Sequence, residues 1–299
     1  MLKVRPKITI IDWVLGALII AFSLYIIDKV SAGLNYNWNW SAIPQYFFRY
    51  DTVAGNWVPN VLIEGFLTTI RLSVWATLFA TFFGAVMGLF RVSQGLFKRL
   101  LGGTYVELIR NLPPLILIFI FYFFVSDQIL PVLGVEEFIR TSGAKTQAVM
   151  TFLFAQPSLF GAFISALITL SIFEGAYITE IVRAGIQSIE KGQWEAADSL
   201  GLSKWQRMRL IILPQAVQRI LPPLAGQFIS TIKDSAIVSV ISIQELTFQG
   251  MELMSTTYFT FEIWITITAM YLILTLTCSL TVAKLEKTIR KRFGHSPFT

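Results

Sequence analysis

Residues 192–214 read GQWEAADSLGLSKWQRMRLIILP and form a polar island between two apolar runs, each long enough to cross a bilayer. A water-soluble segment held between two such runs faces a single aqueous compartment. Residues 193–200 are mostly good helix formers, and Gly201 stands where a helix ending in the left-handed conformation takes glycine. Ser203, with Gln206 three residues on, predicts a capping box that restarts a helix through Lys204, Arg207 and Arg209. The pattern therefore predicts two short helices meeting at a tight turn. The result is a compact cationic knob, with Trp194 and Trp205 exposed, suited to docking on a soluble partner.

Outside this island the composition is that of a polytopic, all-α membrane protein. Of 299 residues, 55% are hydrophobic and 14% charged, and 25 are Phe; soluble domains average about 45–50% and about 25%. The net charge of +6 does not point to nucleic acid, because Lys and Arg cluster beside the apolar runs, as membrane topology requires. Membrane lipid is the expected surrounding. One cysteine, Cys278, lies in an apolar run and one histidine, His295, in the tail, so no disulfide framework or His/Cys metal cluster can form. The chain contains no Gly-Lys pair and hence no Walker A phosphate loop. It is expected not to be an enzyme and to bind no cofactor; ATP and Mg, if used, belong to another polypeptide.

Taken in order, apolar runs at 8–27, 62–90, 112–125, 159–182, 221–243 and 263–282 predict six spans. The first, about 30 Å long as a helix, exceeds the usual signal-peptide core and predicts a retained anchor, although Val30, Ser31 and Ala32 faintly resemble a cleavage site. Residues 35–60 are rich in Trp and Tyr and predict an interfacial loop. Arg71, near the start of the second span, is expected to snorkel towards the outer interface. Glu107 and Arg110 are i,i+3 neighbours able to pair, and Pro113 and Pro114 should distort the entry to the third span. Residues 126–157 predict an excursion with one short helix, and Pro222 and Pro223 open the fifth span. Lys and Arg number 3, 3, 6 and 5 in the N-terminus, the loop after the second span, the central island with its flanks, and the tail, against none to two in each alternate loop. The positive-inside rule then puts both termini and the island in the cytoplasm.

Three ionisable residues fall well inside spans: Glu174, Lys233 and Asp234. Each costs about 2.5–3.5 kcal/mol at a helix centre unless paired, neutralised or facing water, so the three are expected to line a pathway. Two readings stay open, an inter-helix Glu174–Lys233 pair and direct contact with a zwitterionic substrate. Glu180 and Arg183 are read as an i,i+3 pair framing the island.

The spacing Glu195-Ala196-Ala197, three residues, Gly201, nine residues, Ile211-x-Leu213-Pro214 resembles the EAA loop of permease subunits of ABC importers. Further matches at YVELIRNLPP (105–114), AYITEIVRAGI (176–186), ILPQAVQRILPP (212–223) and IKDSAI (232–237) resemble the polar amino-acid branch over residues 59–286, about three quarters of the chain. The resemblance implies a type I importer transmembrane domain like the methionine and maltose permeases. It has a five-helix core plus one N-terminal helix, divided as an anchor and loop (1–57), a permease domain (58–286, coupling loop 186–214) and a basic tail (287–299). It also implies that Trp194, Glu195, Ala196, Ala197, Gly201 and Leu202 engage an ABC ATPase dimer, and that Arg110, Pro113, Glu180, Arg183 and Pro214 are structural. The other implied partners are an extracytoplasmic amino-acid-binding protein and a second permease subunit, identical or homologous, in a bacterial cytoplasmic membrane. The first span and the NWNW segment look most like the glutamate/aspartate branch. Glu174 departs from the small or amide residue expected of the family. The rival readings are an ion-coupled secondary amino-acid transporter, which has no use for an EAA knob, and an intramembrane enzyme, for which no catalytic constellation is present.

Overall fold

The computed structural model describes residues 9–33, 36–53 and 55–293. Lys3, Arg5, Lys7, Asn35 and His295 lie outside them. The leading unit, which ends at Trp40, is built on α1 (Ile10–Gly33). Asp12, the one charge early in this apolar run, accepts from the Thr9 N–H (2.7 Å) and the Thr9 hydroxyl (2.9 Å), closing the first turn with an N-terminal side-chain cap. Trp38 stacks on Trp40 at 5.8 Å, and Tyr36 meets Trp38 edge-on at 5.1 Å.

Among the described residues five helical runs are long and apolar enough to cross a membrane: Val61–Arg91, Pro114–Val132, Pro157–Gln187, Lys204–Ile241 and Thr260–Lys284, with Ile10–Ile26 a shorter apolar helix. In the second unit the chain enters through an antiparallel hairpin, β1 (Phe48–Asp51) and β2 (Asn56–Pro59), paired Phe48 to Pro59 and Asp51 to Asn56. The interfacial loop therefore contains a hairpin that the sequence reading did not anticipate. Helix α2 (Val61–Arg91) follows, then α3 (Leu96–Asn111) and α4 (Pro114–Phe124). Leu112 and Pro113 are extended, so the proline pair separates α3 from α4 and Pro114 begins the second helix.

The excursion after α4 holds two helices instead of one, α5 (Val135–Thr141) and α6 (Ala144–Leu153). Helix α7 (Phe160–Gln187) is the centre of the bundle. Some 67% of its most apolar window is buried, against 17–33% for the other four runs. It packs most extensively on α2, where Gly84 and Gly88 let the backbones approach. A Cβ on Gly84 would sit 2.8 Å from the Ile178 side chain, and one on Gly88 would sit 2.6 Å from Val182, closer than side chains tolerate. Leu72, Ala76, Phe163, Leu170, Phe173 and Ala176 fill the adjoining core.

After the short helix α8 (Lys191–Ser199), the fourth of these runs is continuous from Lys204 through α9 (Leu213–Asp234) to Ile241. It does not begin at Pro222 and Pro223, as the proline pair suggested; both lie inside α9. The helix α10 (Leu246–Thr257), also unanticipated, packs on α2 and on the last helix, α11 (Thr260–Phe293). Two stretches, Val125–Ile129 and Arg207–Ile212, widen to π-helical turns. Each is followed within two residues by a proline, Pro131 or Pro214. A proline has no N–H for the carbonyl four residues back, and its ring strikes that carbonyl; a wider turn moves the carbonyl aside.

Candidate functional site

The island between α7 and α9 is a helical hairpin locked at both sides of its turn. Gly201 adopts φ +70°. Its N–H bonds the Asp198 carbonyl (3.0 Å), and the Leu202 N–H bonds the Ala197 carbonyl (3.2 Å), the paired pattern of a Schellman ending. The next helix opens on a reciprocal capping box, with Gln206 N–H donating to Ser203 Oγ (3.3 Å) and Ser203 N–H donating to Gln206 Oε1 (2.9 Å). Arg207 then clamps the two arms together. Its guanidinium lies 5.3 Å from the Trp194 ring centroid and is ion-paired with Asp198. Lys204 bonds the Gln94 side chain in the loop after α2, and Gln215 reaches Gln193 at 3.2 Å.

These contacts correct two sequence expectations. Trp194 is half-buried, not exposed, because it packs against the buried cluster around Ile186 and Ile212 and carries the Arg207 cation on its ring. Ala197 is buried inside the hairpin, so its small size serves the turn and not a partner's groove. The face left free comprises Glu195, Ala196, Gly201, Leu200 (75% exposed) and Trp205 (67%), with Leu202 half-buried at its edge. Lys191 pairs loosely with Glu195 at 3.9 Å. Ile212, behind the hairpin, is fully buried among Ile178, Val182, Ile186 and Ala216, which ties the knob to the spans.

In the bundle, Glu174 of α7 is completely buried. Its Oε2 accepts from Gln227 Nε2 at 2.6 Å, and its Oε1 has no partner among the described residues. Asp234 and Thr231 of α9 face the same carboxyl. Lys233 is exposed and makes no ion pair with Glu174 among the described residues. Of the two readings left open, the Glu174–Lys233 pair is not formed; two carboxyls and an amide meet instead, because successive residues on α9 point in different directions and Asp234 has the inward one.

Towards the C-terminal ends of α7 and α2, Glu180 receives Arg91 of α2 at 2.7 Å and Arg183 at 2.9 Å. The Glu180–Arg183 pair is as expected; the Arg91 arm joining α2 to α7 is additional. Glu107 does not pair with Arg110 but accepts from Asn111 Nδ2 at 2.9 Å, while Arg110 lies 5.4 Å from the Tyr177 ring. An open cavity of about 650 Å³ lies between them, lined by Arg110, Tyr177, Glu180, Arg219 and Gln227. Tyr177 lies within the electrostatic reach of the Arg110 cation and of the Glu174 and Asp234 carboxyls.

A third polar centre escaped the sequence reading altogether. Glu245, fully buried, caps α10 by accepting from the Phe248 N–H (2.8 Å), and it also accepts from Tyr271 OH (2.8 Å) and Thr69 Oγ1 (3.3 Å). Thr69 in turn receives the Leu246 N–H at 3.1 Å. Burial, opposed by these hydrogen bonds, holds the Glu245 carboxyl above the ordinary carboxylate range. A carboxylate immediately before an apolar helical stretch was the available signal.

The sequence and the fold both have known relatives. Residues 80–291 match the family described as binding-protein-dependent transport system inner membrane component. The chain is 35% identical over 236 residues to a probable glutamine ABC transporter permease protein of Bacillus subtilis, covering 78% of this chain and 95% of the relative. It is 30% identical over 257 residues to a glutamate/aspartate import permease protein of Escherichia coli, covering 86% and 97%. Among solved structures, an amino acid ABC transporter with histidines superposes with a TM-score of 0.61 at 33% identity, over 76% of this chain and 94% of that one. An inward-facing methionine ABC transporter superposes with a TM-score of 0.56 at 16% identity, over 77% and 96%; at that identity the likeness is one of fold.

Proposed function

The chain belongs to the family of binding-protein-dependent transport system inner membrane components, and from that premise we propose that it is the membrane-spanning subunit of an ATP-driven importer of a polar amino acid. The observation that carries this reading is the hairpin at residues 192–214. It is locked by a Schellman turn, a capping box and the Arg207 clamp, yet leaves Glu195, Leu200 and Trp205 open to a partner. A stiff knob transmits force; a floppy loop does not. The Lys and Arg excess on alternate loops supports a cytoplasmic position for it and for both termini.

In this mechanism an extracytoplasmic binding protein delivers the amino acid and an ABC ATPase dimer grips the hairpins of two permease subunits. Closure of the ATPases draws the hairpins together. Because Ile212 and its buried neighbours fix the knob to α7 and α9, the spans rock with it between inward- and outward-facing states. Arg110 and Gln227 line the cavity, and Glu174, bonded to Gln227, lies with Asp234 behind that amide; opened to the path, this set suits a zwitterion, with carboxyls for its ammonium group and a guanidinium for its carboxylate. The first span, the NWNW segment and the longer alignment with the glutamate/aspartate relative support glutamate or aspartate as the substrate.

Reconstitution with the cognate ATPase and binding protein in proteoliposomes tests this. ATP hydrolysis should rise with glutamate- or aspartate-loaded binding protein. Stimulation by glutamine instead would move the substrate, and uptake driven by an ion gradient without ATP would overturn the reading.

A further inference from the structure

A second cavity lies at the opposite end of α2 from the Arg91–Glu180 pair, on the extracytoplasmic side in the orientation proposed above. It measures about 230 Å³ and is bounded by α2, by the α6–α7 junction and by the turn that leads into α10. Its volume falls below the roughly 300–1,000 Å³ of sites for drug-sized ligands, the scale of a small metabolite. Its polar lining includes Glu64, Arg71, Gln156, Ser242, Gln244 and Gln249. Ser242 holds a left-handed backbone, φ 61°, unusual for a residue other than glycine, and it lines the cavity together with Gln244.

The bonding state of these side chains sets the cavity apart. Among the described residues Arg71, Gln156, Gln244 and Gln249 make no side-chain hydrogen bond or ion pair within the chain, although Arg71 is half-buried and Gln249 is only 5% exposed. Arg91 and Arg183, by contrast, are both paired to Glu180. Buried polar groups are bonded as a rule, so the unbonded Arg71 guanidinium and Gln249 carboxamide, joined at the exposed rim by Gln156 and Gln244, present donors and acceptors to something that enters the cavity. Arg71 offers a planar fork of N–H donors matched to a carboxylate. Glu64, two helical turns before it on the same face, is near enough to act on its charge and offers an acceptor for an ammonium group. The amides complement a polar side chain.

We propose that this cavity is an entry subsite that receives an amino acid from the binding protein, its carboxylate on Arg71 and its ammonium group on Glu64, before it passes to the Glu174–Asp234 region. The subsite rests on the reading of the chain as an amino-acid permease. It assigns Arg71 a ligand of its own; a snorkelling anchor would need none. The same oxyanion chemistry could be supplied by a phospholipid phosphate, so the test must separate the two.

Equilibrium binding of radiolabelled L-glutamate and L-glutamine to the assembled permease–ATPase complex, without binding protein, is measured in nanodiscs of phosphatidylcholine alone and with added phosphatidylglycerol. Wild type should bind at least one of the two in both lipids, and that ligand's α-carboxamide should not compete. Arg71→Met should weaken binding about tenfold or more, the effect of losing a charge-assisted hydrogen bond, with Arg71→Lys intermediate and Gln244→Ala weaker than wild type. The elution profile of each complex reports assembly, and Gln244→Ala, at an exposed rim position, keeps the test open should Arg71→Met fail to assemble. Unchanged affinity in Arg71→Met or, failing its assembly, in Gln244→Ala overturns the subsite. So does affinity that falls with phosphatidylglycerol in wild type but not in an Arg71 variant, which identifies a lipid phosphate as the occupant. If loaded binding protein stimulates ATP hydrolysis while neither amino acid binds, the subsite fails and the functional reading stands; if no amino acid stimulates hydrolysis, both fail.

Discussion

Substitution of Gly201 separates the shape of the hairpin from its docking. Gly201 holds φ +70°, and a Cβ placed there would meet nothing within 4 Å, so Gly201→Ala introduces backbone strain without a clash. For an L-residue that strain is about 1–2 kcal/mol, a factor of roughly 5–30 in the balance between closed and opened turn. The cost falls on the Schellman bonds from Gly201 to Asp198 and from Leu202 to Ala197, not on the bundle, because no span touches the position. Gly201→Asn tolerates the left-handed conformation and should recover most of the loss. Gly201→Trp adds bulk to the free face on top of the strain. Each variant is purified and its retained ATPase subunit quantified, alongside ATP-dependent uptake and the amount of permease in the membrane fraction. Retention and uptake should fall in the order wild type, Asn, Ala, Trp, at equal membrane levels. Wild-type uptake by Gly201→Trp would refute the reasoning, as would Gly201→Ala losing membrane protein in proportion to uptake.

Other substitutions probe the remaining links. Arg207→Ala removes both the stacking on Trp194 and the Asp198 ion pair; at about 1–2 kcal/mol it should loosen ATPase attachment several-fold, seen as faster dissociation in surface plasmon resonance. Gly88→Leu forces a side chain into Val182 and should lower the melting temperature of the purified protein, overpacking costing about 1–3 kcal/mol. Glu174→Gln should keep ATPase binding but reduce amino-acid uptake, since Asp234 is then the one carboxyl left of the pair proposed to meet the substrate's ammonium group. The Glu245 carboxyl, held above its ordinary range by burial, contributes stability that is fully present below its unfolded pKa and lost as pH rises through the folded value. Glu245→Gln should flatten that dependence in thermal melts taken across the acidic to neutral range.

Where the sequence spoke through neighbours on the chain, it was legible. Ser203 with Gln206, Gly201 after its helix, and Glu180 with Arg183 are spaced so that their partners lie within one turn, and the structure pairs them so. Spans announced themselves by length and apolarity. Partners from distant segments were not legible: Gln227 for Glu174 and Arg91 for Glu180 depend on which faces of α2, α7 and α9 meet. Glu107 shows the limit even locally, since Asn111 one turn on competed for it and left Arg110 to Tyr177. Helix α10 was hidden because its twelve residues are too few and too mixed for a span, and its stability comes from the Glu245 cap and from packing on α2 and α11. Trp194 was misjudged because tryptophan in a polar stretch looks exposed until its packing on the buried cluster and the Arg207 cation on its ring are seen.

The cytoplasmic position proposed for the hairpin and its proposed docking on a separate ATPase are tested most directly at Leu200, the exposed apolar residue beside the turn. With Cys278→Ser as background, Leu200→Cys is labelled by a membrane-impermeant maleimide in intact cells and in inverted vesicles, with and without the ATPase subunit. Labelling should occur only in inverted vesicles and be blocked when the ATPase is bound. Labelling from the outside of intact cells, or labelling that the ATPase does not protect, would contradict the account.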